Sequence, residues 1–134
     1  MTGSILVVDD NRDNLELFDY LLRAHGYTPL LAATGAEGVR RAVDERPDLI
    51  LLDIQMPEMD GFAAAAAIRA HAALERTRIV ALTAFAMVGD RERILARGFD
   101  GYITKPIMPE AFLGEIEEFL PSDRRATPRQ AGPG

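Results

Sequence analysis

Cysteine is absent, which excludes a disulfide scaffold, a thiolate zinc site and thiol catalysis. Lysine is nearly absent: 14 of the 15 basic residues are arginine, and Lys105 stands alone. No apolar run approaches the roughly 18 residues that a bilayer span needs, so no membrane association is expected. The N-terminus shows no charged segment leading into an apolar one, so no secretion signal is read and the expected compartment is the cytoplasm. Neither G-x-x-x-x-G-K-[ST] nor G-x-G-x-x-G occurs, which leaves nucleotide binding without support.

What is present suits one globular domain. The chain has 134 residues, 48% of them hydrophobic and 27% charged, an ordinary balance for a folded protein. At this size the apolar core suffices without a structural metal. The net charge is −6. Residues 121–134 hold three arginines against one aspartate, which leaves residues 1–120 at −8. An acidic body repels phosphate backbones, so nucleic acid is not an expected partner.

Strand and helix signals alternate five times. Ser4–Val8 is a short apolar run that ends at Asp9-Asp10-Asn11. Leu15, Leu17, Phe18, Leu21 and Leu22 then recur at helical spacing up to a Gly26 stop. Thr28–Ala33 predicts a second strand and Gly35–Arg46 a second helix. Asp48–Asp53 is apolar between its two acids, as in a strand covered on both faces. An alanine-rich helix over Phe62–Ala73 follows a loop at 56–61. Arg78–Thr83, Asp90–Arg97, Tyr102–Thr104 and Glu110–Leu120 complete the alternation. The pattern predicts an α/β fold: a five-stranded parallel sheet with helices on both faces. Residues 1–120 form the expected domain, and 121–134, rich in Pro and Gly, a disordered basic tail.

Ligands of open parallel sheets bind beyond the carboxyl ends of the strands. The first strand ends in Asp9 and Asp10, the third in Asp53 and the fourth in Thr83, and Lys105 follows the fifth. Singly each has a plain reading; Asp10 or Asn11, for example, caps the first helix equally well. Jointly they bring three carboxylates, a hydroxyl and an ammonium to one edge. Crowded carboxylates repel, and a hard divalent cation such as Mg²⁺ relieves the repulsion. A carboxylate beside that cation can act as a nucleophile toward phosphorus.

The motifs VVDDN at 7–11, LLDIQMPEMDG at 51–61, ALTAFA at 81–86 and YITKPI at 102–107 resemble those of the receiver domains of two-component response regulators. Asp53, Thr83 and Lys105 stand 30 and 22 positions apart, as in that family. The segment 83–94 is similar to single-domain, DivK-type phosphorelay regulators. The resemblance implies a flavodoxin-like (βα)5 receiver fold, with Asp53 accepting a phosphoryl group from a histidine kinase or histidine phosphotransfer protein. It implies Mg²⁺ held by Asp10, Asp53 and the backbone carbonyl of Gln55, with Asp9 acting mainly through water. It also implies that Thr83 and Lys105 hold phosphoryl oxygens, that Tyr102 is the switch aromatic, and that the bond before Pro106 is cis. Gln55 and Phe85 would flank the approach of hydrolytic water. With no output domain expected, the output would be contact with a downstream protein or onward phosphotransfer.

The rival reading is a haloacid-dehalogenase-like phosphatase, which also forms an aspartyl phosphate. Such enzymes use a D-x-D pattern after the first strand, whereas here Asp9 is followed by Asp10 and Asn11. Beyond self-phosphorylation and self-dephosphorylation at Asp53, no enzymatic activity is expected. On the first helix, Leu17 and Leu21 are expected in the core and Leu15 at least partly exposed beside the acidic site, where it would dock a partner. Glu115, Glu117 and Glu118 read as a solvated face. Arg91, Arg93 and Arg97 face acids of the last helix in a scheme for a weak phosphorylation-dependent dimer; otherwise the protein is a monomer.

Overall fold

The computed structural model describes residues 3–84 and 88–125. Five strands, β1 (Ser4–Val8), β2 (Thr28–Ala32), β3 (Leu49–Asp53), β4 (Arg78–Thr83) and β5 (Gly101–Thr104), alternate with five helices. The helices are α1 (Arg12–Ala24), α2 (Gly35–Glu45), α3 (Gly61–Arg69), α4 (Val88–Ala96) and α5 (Pro109–Glu117). All strand pairs are parallel, in the order β2-β1-β3-β4-β5. The order reverses between β1 and β3, and such a switch point is where open sheets bind ligands.

Period-two alternation divides the core. Ile5, Val7, Leu49, Leu51, Val80 and Leu82 point to one face, against Phe18, Leu21 and Leu22 of α1 and Phe112 and Ile116 of α5. Leu6, Val8, Ile50, Leu52, Ile79 and Ala81 point to the other, against α2, α3 and α4. β3 is buried at every position, which is why its sequence is apolar throughout rather than alternating.

The first helix corrects one expectation. Leu21 is buried, but Leu17 is only partly so, and Phe18 and Leu22 complete the core row. At about 100° per residue, Leu17 lies about 100° from Phe18, whereas Leu21 and Leu22 lie within about 60° on either side of it. The stripe therefore centres on Phe18. Leu15 is partly buried, as expected. The helix stops at His25, and Gly26 follows with φ +88°, a conformation that glycine adopts at little cost.

The alanine-rich helix is also shorter than its composition suggests. It ends at Arg69, and Ala72–Leu74 forms a separate 3₁₀ turn. The Arg69 guanidinium donates to the carbonyls of Leu74, Glu75, Thr77 and Gly98 and to Asp100 Oδ2. Asp100 accepts in turn from Ile79 N at 2.8 Å. This knot turns the chain into β4 and sets where that strand starts. Helical propensity of the alanines yields to it.

Residues assigned to the tail continue the body. Ser122–Arg124 forms a 3₁₀ turn, Gly3 N donates to Arg124 O at 3.0 Å, and the Arg124 guanidinium lies 3.6 Å from Asp48. Glu117 is not simply solvated: it accepts from the Tyr27 hydroxyl and ties α5 to the start of β2.

Candidate functional site

Every residue of the site sits where a strand ends. The β1 chain leaves the sheet through Asp9, and α1 starts three residues later, at Arg12. Asn11, not Asp10, is the cap: its side chain accepts from Asn14 N at 3.0 Å. Asp10 is thereby left free of capping and lies exposed, while Asp9 is fully buried. Asp9 Oδ1 accepts from Asn11 N at 2.9 Å, and Asp9 Oδ2 from Asn14 Nδ2 at 3.1 Å.

Asp53 ends β3, beside the switch point, with 5% of its surface exposed. Its Oδ1 accepts from Gln55 N at 3.0 Å and its Oδ2 from Lys105 Nζ at 3.0 Å. The chain can turn here because Gly61 lies against the turn. A Cβ at Gly61 would sit 2.5 Å from Asp53 O and 2.7 Å from Ile54 Cα, well inside van der Waals contact. Gly61 N donates to Ile54 O at 2.9 Å, and Asp60 caps α3 through Ala63 N. Glycine here lets α3 begin directly behind the acceptor carboxylate.

Thr83 ends β4 and is buried. Its carbonyl accepts from Lys105 N at 2.8 Å, which aligns the end of β5 with that of β4. Lys105 then reaches back over the sheet, with Nζ 3.0 Å from Asp53 and 3.1 Å from Asp9. The Lys105–Pro106 peptide is cis. Tyr102 is half-buried against the α3–α4 side of the core, with the Arg91 guanidinium 5.6 Å from its ring centre.

The charges are unbalanced. Asp9, Asp10 and Asp53 each place a carboxylate oxygen within 4.8 Å of the others', against one ammonium. Burial pushes the Asp53 carboxyl above its ordinary value of 3.8, and the Asp9 charge adds to this; the Lys105 hydrogen bond and charge and the Gln55 amide only partly offset them. Burial pulls Lys105 down, but the hydrogen bonds and charges of Asp53 and Asp9 outweigh it and hold the ammonium above 10.5. The site therefore carries fixed positive charge at Lys105 and excess negative charge beside it. All-oxygen donors in this arrangement fit a hard divalent ion such as Mg²⁺, which takes one or two carboxylates and completes its shell with water and phosphoryl oxygen.

Asp9, Asp10, Asp53, Thr83 and Lys105 thus meet at one edge as the strand ends implied. The Gln55 amide is in the site through its bond to Asp53, and its side chain is exposed. Leu15, with Arg12, Glu16, Asp19 and Leu31, lines an open groove of about 410 Å³ whose lining does not include Asp9, Asp10 or Asp53. Phe85 falls outside the described residues. Two participants escaped the sequence reading. Asn14 gave no signal, being one more polar residue in a first helical turn. Gly61 was visible only as a loop residue, although Asp-Gly before a helix is a turn signal.

This fold and this site define a class. Residues 5–117 match the response regulator receiver domain, and the chain belongs to that family, whose members act in two-component signalling. It is similar to the polar-differentiation response regulator DivK of Brucella ovis, at 40% identity over 120 residues, which cover 90% of this chain and 98% of the relative. Among solved structures it resembles the chemotaxis response regulator CheY4 of Vibrio cholerae, at 30% identity and a TM-score of 0.86, covering 90% of this chain and all of that one. It also resembles the receiver domain of a sensor histidine kinase from Pseudomonas aeruginosa PAO1, at 37% identity and a TM-score of 0.81, covering 89% and 98%. That structure carries a magnesium ion coordinated in its active-site cleft. No helix among the described residues is long and apolar enough to cross a membrane.

Proposed function

We propose that this receiver domain accepts a phosphoryl group on Asp53 from the phosphohistidine of a cytoplasmic histidine kinase or phosphotransfer protein. The single observation that carries the reading is the placement of Asp53. It is a buried carboxylate with raised proton affinity, one edge held by Lys105, next to two further carboxylates. In the reaction an Asp53 oxygen attacks phosphorus, the phosphorus–nitrogen bond breaks, and its electron pair returns to the imidazole, which takes a proton. Mg²⁺ supplies charge neutralisation for the incoming phosphoryl group. Asp10, Asp53 and the Gln55 carbonyl would hold the ion directly. Both Asp9 oxygens already accept hydrogen bonds, which favours contact through water for that residue.

Lys105 pairs with one phosphoryl oxygen, losing Asp53 Oδ2 and gaining a more highly charged partner. Thr83 donates its hydroxyl to another and moves inward toward it. The space so vacated lets Tyr102 turn from half-buried to buried, and the altered α4–β5 surface is what a downstream protein reads. Leu15, beside Leu31 in its groove, supplies apolar surface for the phosphodonor. The test is transfer from a small phosphodonor such as acetyl phosphate, followed by intact mass. One phosphoryl group is expected on the wild type with Mg²⁺, and none after chelation or in Asp53→Asn. Equal labelling of Asp53→Asn would overturn the reading.

A further inference from the structure

The phosphorylation site has a neighbour on α4, Arg93, that the proposed phosphotransfer does not use. A cavity of about 240 Å³ is lined by Ile54, Gln55, Thr83, Asp90, Arg93 and Ile94. Arg93 is the one cation on its wall among the described residues, and it faces the same space as the hydroxyl-bearing Thr83 and the residue two past the acceptor. The guanidinium also borders the adjoining open groove with Phe62 and Arg97.

Arg93 is lightly held where it is. Its ion pair with Asp90 is long, at 3.5 Å, and the side chain is 60% exposed. Such a pair contributes little. Its other contact is the face of Phe62, 5.4 Å from the ring centre. Arg97 lies over the same ring at 4.6 Å. Two like charges share one aromatic ring, so Arg93 can leave and Phe62 still keeps a cation.

The charge at the site supplies the reason to leave. Phosphorylation replaces a singly charged carboxylate with a group of about −2. Lys105 and a divalent ion face that group together with Asp9 and Asp10, so net negative charge remains. A planar guanidinium already on the cavity wall is suited to a phosphoryl oxygen, in a geometry that a lysine would not reproduce.

We propose that Arg93 is a second phosphoryl-binding cation. It moves from Phe62 and Asp90 onto the phosphorylated Asp53, stabilises that state and couples it to the position of α4. The proposal rests on Asp53 being the acceptor. It is tested with beryllofluoride and Mg²⁺, a stable mimic of the phosphoryl group, by titration calorimetry on the wild type, Arg93→Gln and Arg97→Gln. Arg93→Gln is expected to bind the mimic about tenfold more weakly, with the deficit shrinking at high salt. Arg97→Gln, which touches Phe62 but not the Thr83 cavity, is expected to bind as the wild type does. Equal affinity of Arg93→Gln and wild type would overturn the proposal, as would an equal loss in both variants, which would trace the effect to packing on Phe62. Failure of the wild type to bind the mimic would overturn the Asp53 reading and this proposal together.

Discussion

Lys105 and Asp53 are joined by a 3.0 Å hydrogen bond across 52 residues of sequence, yet burial outweighs the pairing and the carboxyl pKa stays above its ordinary value. Lys105 is shared with Asp9, and one ammonium cannot offset two buried carboxylates. The net result is an acceptor that holds its proton more tightly than free aspartate and a lysine that keeps its own.

A pH dependence follows. Only the carboxylate form of Asp53 attacks phosphorus. Because its folded value is raised above 3.8, the rate of labelling by a small phosphodonor should fall on acidification at a higher pH than free aspartate would show. Mg²⁺ favours the charged form, so raising its concentration should move this limb to lower pH. For stability the sign is opposite. The contribution of Asp53 is fully present below 3.8 and is lost as pH rises through the folded value. Asp53→Asn should therefore raise the midpoint of thermal unfolding of the metal-free protein at neutral pH. A lowered midpoint would contradict the assignment of burial as the dominant cause.

Arg69 should matter more than any surface arginine. Its guanidinium satisfies the carbonyls of Leu74, Thr77 and Gly98 as well as Asp100. Arg69→Ala leaves these groups to water or to each other and should cost about 2–4 kcal/mol in urea unfolding. Arg69→Lys, with no planar fork, should recover less than half of that. A cost within about 0.5 kcal/mol, the range of ordinary surface substitutions, would show that the knot is replaceable.

The groove beside Leu15 gives a kinetic prediction. Leu15→Ala should slow phosphotransfer from a kinase or phosphotransfer protein and leave labelling by acetyl phosphate unchanged, since the residue lines a groove that none of the three site carboxylates lines. Equal slowing of both reactions would place the effect in the site itself.

The lifetime of the phosphorylated state is expected to run from minutes to hours. Hydrolysis needs water in line with the Asp53–phosphorus bond. Gln55 can orient such a water through its amide but cannot take its proton. Phe85, two past Thr83 and outside the described residues, is apolar and offers no hydrogen bond to water, while the small exposed Ala84 leaves room for a donor. Phosphate release from purified phosphoprotein should accelerate in Phe85→Glu. A wild-type half-life of seconds, or no change in the variant, would remove Phe85 from this role.

The site was legible because its members end strands. In a parallel sheet the carboxyl ends all lie on one edge, so Asp9, Asp53 and Thr83 are brought together by topology alone, without any knowledge of side-chain geometry. The element order was legible for the same reason, in the switch from apolar runs to helical spacing. What could not be read depended on partners distant in sequence. Arg69 ends α3 through groups up to 31 residues away. Glu117 looks solvated until Tyr27 is placed beside it. Leu17 packs only at the margin of the core because the stripe centres on Phe18, a matter of helix rotation that five closely spaced apolar residues do not decide. Arg93 reads as one more charge on a polar helix until the cavity with Thr83 is seen.

The most direct measurement is the position of the label. Phosphorylate the protein with acetyl phosphate and Mg²⁺, trap the acyl phosphate by borohydride reduction, digest, and locate the modified residue by mass spectrometry. Modification at Asp53 is the expected result. Modification at Asp9 or Asp10 with Asp53 unchanged would contradict it, because the nucleophile would then lie after β1 and the roles assigned to Lys105, Thr83 and Arg93 would all lose their centre.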